Sequence, residues 1–131
     1  QDEPEDFVIA TGIQYSVREF VCEVAKKLGV ELEFVGTEES EIARIVSVSR
    51  SDTPGFNIGY TIVKVDKRYY RPSEVDTLLG DATKAKEGLN WEPKTTFEAL
   101  VNEMVDHDLE EAKRNLLLKD HGYHSTTPMV D

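Results

Sequence analysis

Apolar and polar residues follow several distinct rhythms along the chain, and each rhythm predicts an element. After Ser16, apolar residues fall at Val17, Phe20, Val21, Val24 and Leu28, the three-and-four spacing that lines one face of a helix. Ser16 and Glu19 form an S-x-x-E capping box ahead of this run, and Gly29 stands at its stop, so a helix is predicted over about 16–28. Val30-Glu31-Leu32-Glu33-Phe34 alternates with period two and reads as a half-buried strand. Further on, Thr95 and Glu98 make a second capping box. Phe97, Leu100, Val101, Met104, Val105 and Leu109 then share one face, with Glu110, Glu111, Lys113 and Arg114 elsewhere. That spacing predicts a second long helix over about 96–117. Near the start, Phe7-Val8-Ile9-Ala10 is a short apolar run closed by Thr11-Gly12, the length and flanking of a fully buried strand.

Between these landmarks the pattern is more broken. Residues 36–41 form a polar loop, Ile42–Val48 is rich in β-branched residues, 51–59 carry turn chemistry, and Tyr60–Val65 is another strand. Together they predict an excursion over 36–60 built on a β-ribbon and projecting from the compact part. Asp81 is placed to cap a short helix running to about Leu89, and Trp91-Glu92-Pro93 ends that region. Beyond about Leu118 the pattern dissolves. The fold class is therefore a small α/β unit with two dominant helices and a few short strands: one lobe over 1–118 and a flexible tail over 119–131.

Composition narrows the function. The 131 residues suffice for one domain, and 26 Asp and Glu against 15 Lys and Arg leave a net charge of −11. Such a field disfavours nucleic acid and anionic membrane surfaces, while a compact anionic ligand can still bind where a few arginines converge. A single cysteine, Cys22, cannot form an internal disulfide, no N-x-[ST] acceptor occurs, and no feature points to secretion. Apolar runs of four or five residues are too short for a membrane span or signal peptide. The chain opens on Gln1 instead of Met, which suggests a piece of something longer.

Most familiar chemistries are missing. Neither G-x-G-x-x-G nor G-x-x-x-x-G-K-[ST] occurs, and Thr11-Gly12 reads as strand-to-helix punctuation. His121-x-x-His124 has a suggestive spacing but stands without a nearby Cys or third His, short of the four ligands that structural zinc needs. His107, between Asp106 and Asp108, reads as part of a solvated helix face, and Cys22 as an inert thiol. One segment differs. Asp66-Lys67-Arg68-Tyr69-Tyr70-Arg71-Pro72-Ser73-Glu74-Val75-Asp76 concentrates Arg, Tyr and acids around a proline. Arg71 can present its guanidinium fork to a phosphate or a base edge, and Glu74 can accept from the vicinal hydroxyls of a ribose. The competing reading is a surface Arg–Glu pair of little energetic weight.

These residues carry a family resemblance. Asp6–Gly12 followed by Tyr15-Ser16-Val17-Arg18-Glu19-Phe20-Val21 is similar to the start of the C-terminal substrate lobe of the GDP-mannose 4,6-dehydratases, which are extended short-chain dehydrogenases. The similarity continues through Val65-Asp66-x-Arg68-Tyr69-Tyr70-Arg71-Pro72-x-Glu74-Val75, Leu78-Leu79-Gly80-Asp81-x-Thr83-Lys84-Ala85, Leu89-x-Trp91-x-Pro93 and Glu103-Met104-Val105-x-x-Asp108-Leu109. It covers the chain from about residue 5 to Tyr123. Departures fall at Lys67 and Ala82, where the family usually has proline, and at Asn90, where it has glycine.

The resemblance implies a parent enzyme that removes water from GDP-mannose to give GDP-4-keto-6-deoxy-mannose, on the way to GDP-fucose, using tightly bound NADP. It further implies a cytoplasmic homo-oligomer whose catalytic Tyr-x-x-x-Lys pair, Ser/Thr and Glu sit on an N-terminal Rossmann domain absent from this chain. Only Tyr60 and Lys64 have the Tyr-x-x-x-Lys spacing. They fall in a predicted strand with no cofactor fold around them, so this chain is expected to hold no catalytic residue, no cofactor and no metal. Arg71 and Glu74 match the positions that contact the GDP part of the substrate. Phe7–Ala10 matches the segment that joins the edge of the nucleotide-binding sheet, and without that sheet the free fragment is expected either to dimerise through it or to leave it disordered. The alternatives are a non-catalytic nucleotide-sugar binding or interaction module, or the same lobe from a GDP-sugar reductase or epimerase.

Overall fold

The computed structural model describes residues 3–50, 55–71 and 78–123. Helix α1 (Val17–Lys27) forms where the capping box places it: the Ser16 hydroxyl accepts from the Glu19 N–H, and the Glu19 carboxylate accepts from the Ser16 N–H at 2.7 Å. The chain then reverses at Gly29, whose φ of +72° is a left-handed conformation that glycine adopts at least cost. A side chain there would also collide with Arg50 and Ser49, and the Gly29 carbonyl accepts from both the N–H and the hydroxyl of Ser49.

Strands β1 (Val30–Val35), β2 (Ile42–Val48) and β3 (Thr61–Lys64) form one antiparallel sheet in the order β1-β2-β3. Residues 36–60, read as a projecting ribbon, instead supply its central strand. The reason is burial: Ala43 and Ile45 point inward at 0% and 1% exposure, and Ile45 packs with Ala25 and Val30 as the core between sheet and α1. Leu28, Leu32, Val48 and Phe56 close around that core. On the outer face Glu33 and Arg44 stand opposite each other and pair at 2.6 Å.

Helix α1 packs on β1 on one side and on α3 (Phe97–Asp120) on the other. Lys27 and Asp106 pair across the two helices at 3.1 Å. The cap of α3 is Thr96, one residue beyond the expected Thr95, and its hydroxyl accepts from the Ala99 N–H. Two adjacent threonines offer the same hydroxyl. The cap at Thr96 puts Phe97 in the first turn, where its ring stacks on Tyr15 at 3.9 Å and meets Phe20 edge-on. Helix α2 (Thr83–Leu89) begins with an Asx-turn, in which the Asp81 carboxylate accepts from the N–H and hydroxyl of Thr83; the N-cap itself is Ala82.

The strand expected at Phe7–Ala10 does not form within this chain. The segment runs without ladder pairing, and Val8 and Ile9 are more than half exposed. What positions it is side-chain contact with the α2 region. Lys84 lies over the Phe7 ring at 4.8 Å, pairs with Glu5 and donates to the Asp6 carbonyl, while Ala10 and Val8 lie against Gly80.

Candidate substrate-binding site

The arginine-rich segment leaves β3 as a tight turn. The Val65 N–H donates to the Glu41 carbonyl, which holds the end of β3 beside the 3-10 turn Glu38–Ser40. The chain then bends at Asp66: its carbonyl accepts from the Tyr69 N–H at 3.0 Å, and its carboxylate accepts from the Arg68 N–H at 2.9 Å. The same carboxylate receives the Arg68 guanidinium through Nε at 3.1 Å and Nη2 at 2.6 Å. Those Arg68 side-chain bonds, and then the Arg68 N–H, hold the Asp66 carboxyl below the usual carboxylate range; the same contact raises the Arg68 guanidinium. Lys67 pairs with Glu39 at 3.5 Å. Tyr70 is half-buried, and burial, then the charges of Glu38 and Glu39, push its hydroxyl pKa up.

The three cations of the segment are thereby separated. Arg68 is neutralised by Asp66 and Lys67 by Glu39, whereas Arg71 is exposed and has no hydrogen bond or ion pair to another described residue. Charge counting could not distinguish Arg68 from Arg71; the turn does. Glu74, the second candidate, lies outside the described residues, as does His124. Leu78, the next described residue, donates its N–H to Gln14 Oε1 at 3.1 Å, which ties it to the stretch before α1.

Other candidates fall apart in space or into ordinary roles. Tyr60 precedes β3 and Lys64 ends it, and both are exposed. The His121 ring nitrogen Nδ1 lies 2.8 Å from the Leu117 carbonyl, at the C-terminus of α3. His107 and Cys22 are exposed on helix surfaces. Among the described residues no three His, Cys, Asp or Glu side chains gather as metal ligands, and no helix is long and apolar enough to cross a membrane. A dinucleotide cofactor does not fit these residues either. It needs a glycine-rich turn leading from a parallel strand into a helix, and here the sheet is antiparallel and Gly12 follows an unpaired segment.

Fold and site thus define a small α/β unit that displays one uncommitted arginine two residues beyond a braced surface turn and carries no dinucleotide fold among its described residues. The family profile described as GDP-mannose 4,6 dehydratase matches residues 1–104. The GDP-mannose 4,6-dehydratase of Vibrio cholerae serotype O1 is 54% identical over 123 residues, 94% of this chain and 33% of the relative. The human GDP-mannose 4,6 dehydratase is 46% identical over 114 residues, 87% of this chain and 28% of the relative. GDP-mannose 4,6 dehydratase 1 of Arabidopsis thaliana is 42% identical over 123 residues, 94% and 27%. The chain belongs to the GDP-mannose 4,6-dehydratase family. It spans about a third or less of the length of these relatives.

The departures from the family pattern have local explanations in two cases. Asn90 sits at φ 51°, ψ 38°, the left-handed position that closes α2. Asparagine is the residue that best tolerates this conformation after glycine. Lys67, at the second position of the Asp66–Tyr69 turn, lacks proline's fixed φ but reaches Glu39. Nothing in the structure explains Ala82.

Proposed function

We propose that this chain is the substrate-binding part of a GDP-mannose 4,6-dehydratase, in which Arg71 and Glu74 hold the GDP portion of GDP-mannose. The carrying observation is that, within the segment matched by the family profile, Arg71 is the one cation of the 66–71 turn left uncommitted by a neighbouring acid among the described residues. A guanidinium just beyond a braced turn suits a diphosphate or a guanine edge, and a carboxylate three residues on suits ribose hydroxyls.

In this reading the chain binds and orients substrate and performs no redox step. NADP, which supplies hydride transfer when bound, and the Tyr-x-x-x-Lys pair belong to a Rossmann domain of the full-length enzyme, and the chain alone is inactive. The full-length enzyme is a lyase of the short-chain dehydrogenase class, cytoplasmic and homo-oligomeric, with neither nucleic acid nor membrane as partner.

Steady-state kinetics on full-length Arg71→Ala tests the assignment. A charge-assisted hydrogen bond contributes about 1.5–3 kcal/mol, so the KM for GDP-mannose is expected to rise by about ten- to a hundredfold while NADP binding is unchanged. Glu74→Gln is expected to do less, because the Gln carbonyl still accepts from a ribose hydroxyl. A GDP-mannose KM within twofold of wild type in Arg71→Ala refutes the site.

A further inference from the structure

The turn that leads to Arg71 has a brace of its own, centred on one residue. Asp66 closes it: its backbone carbonyl takes the Tyr69 N–H, and its carboxylate takes the Arg68 N–H and both Nε and Nη2 of the Arg68 guanidinium. We infer that Asp66 is a positioning residue for nucleotide recognition, one that never touches substrate but sets the direction in which the chain delivers Arg71, five residues on. This rests on the substrate-binding reading above.

Three observations favour a positioning role over a merely cohesive one. First, the ion pair is too exposed to contribute much to folding: the Arg68 side chain is 79% exposed and that of Asp66 38%, and such pairs are worth little in water. Second, the carboxylate spends its oxygens within the turn and draws Arg68 back onto Asp66, where the guanidinium also lies 5.5 Å from the Tyr69 ring centroid. That removes Arg68 as a competitor for an anion and leaves Arg71. Third, the second residue of the turn is Lys67, whose backbone φ is free, whereas proline at that position would stiffen the turn by itself. With Lys67 in place, the order of the turn falls to Asp66 and to the longer Lys67–Glu39 pair at 3.5 Å.

The role is read from a KM-against-kcat split with a rescue. Full-length Asp66→Ala, Asp66→Asn, Asp66→Ala/Lys67→Pro and Arg71→Ala are compared with wild type, with GDP-mannose as the varied substrate and thermal melting as a check on folding. Asp66→Ala is expected to raise the KM about three- to tenfold, the loss of one or two hydrogen bonds that order the turn, with kcat unchanged. Asp66→Asn keeps an acceptor for the Arg68 N–H and is expected to retain most of the affinity. Lys67→Pro is expected to restore the Asp66→Ala variant to within about twofold of wild type, because a ring-fixed φ replaces the lost brace. A normal KM in Asp66→Ala beside a raised KM in Arg71→Ala overturns the inference and leaves the binding assignment standing. A raised KM that proline does not lower overturns it too, since the carboxylate would then be acting on substrate. If Arg71→Ala is silent, both fall.

Discussion

Gly80→Ala probes how the N-terminal segment is seated, and its effect is separable from backbone strain because Gly80 does not adopt a positive φ. An ideal Cβ at Gly80 lies 2.6 Å from the Ala10 Cβ and 3.3 Å from Val8 Cγ1. Carbon atoms in comfortable contact stand about 3.5–4.0 Å apart, so the 8–10 segment has to retreat by about 1 Å. Overpacking of this kind costs about 1–3 kcal/mol. The lower end applies, since Val8 and Ile9 are more than half exposed and can move outward. About 1 kcal/mol in a domain of this size lowers Tm by about 3–5 °C.

Thermal denaturation followed by circular dichroism measures that shift. Hydrogen exchange at the Leu78 amide, which donates to Gln14 Oε1 at 3.1 Å, reports whether the loosening is local. Ala10→Gly deletes the facing methyl, so the double variant Ala10→Gly/Gly80→Ala is expected to recover about 1 kcal/mol relative to the sum of the singles. An unchanged Tm in Gly80→Ala, or strict additivity in the double variant, refutes the idea that residues 8–10 are held by this close approach.

Two further outcomes follow from backbone geometry and capping. Asn90→Ala is expected to cost about 1 kcal/mol in denaturant unfolding, because a Cβ without a short polar group is strained at φ 51°, whereas Asn90→Gly is expected to be neutral or slightly stabilising. Hydrogen bonds from the Ser16 N–H and hydroxyl hold the Glu19 carboxyl below its ordinary value of 4.5. Glu19 therefore binds its proton less readily in the folded chain than in the unfolded one. Its contribution is present above about pH 4.5 and fades as pH falls through the lower folded value. Glu19→Gln should flatten the acid limb of the stability profile measured between pH 6 and 3, and an unchanged limb would count against the capping assignment.

The local elements and the family were legible in the sequence. Helix α1 was, because its cap, its apolar stripe and its glycine stop all lie within fourteen residues and act through contacts three or four positions apart. Strand β1 was legible through its alternation, and the family through motifs spread over the whole chain. Arg71 could be singled out as a candidate by residue type, but what separates it from Arg68 is where the Asp66 carboxylate lies in the folded turn.

Tertiary structure alone decided which strands find partners. Ile42–Val48 and Phe7–Ala10 are both short apolar runs, yet the first became the central strand and the second stayed unpaired. A strand's ladder bonds go to residues far away in sequence, so its own composition cannot say whether a partner edge exists. For β2 both edges exist in this chain, one on β1 and one on β3, and the burial of Ala43, and of Ile45 with Ala25 of α1, rewards the pairing. For residues 7–10 neither edge of that sheet is used, and contact with Lys84 and Gly80 takes its place.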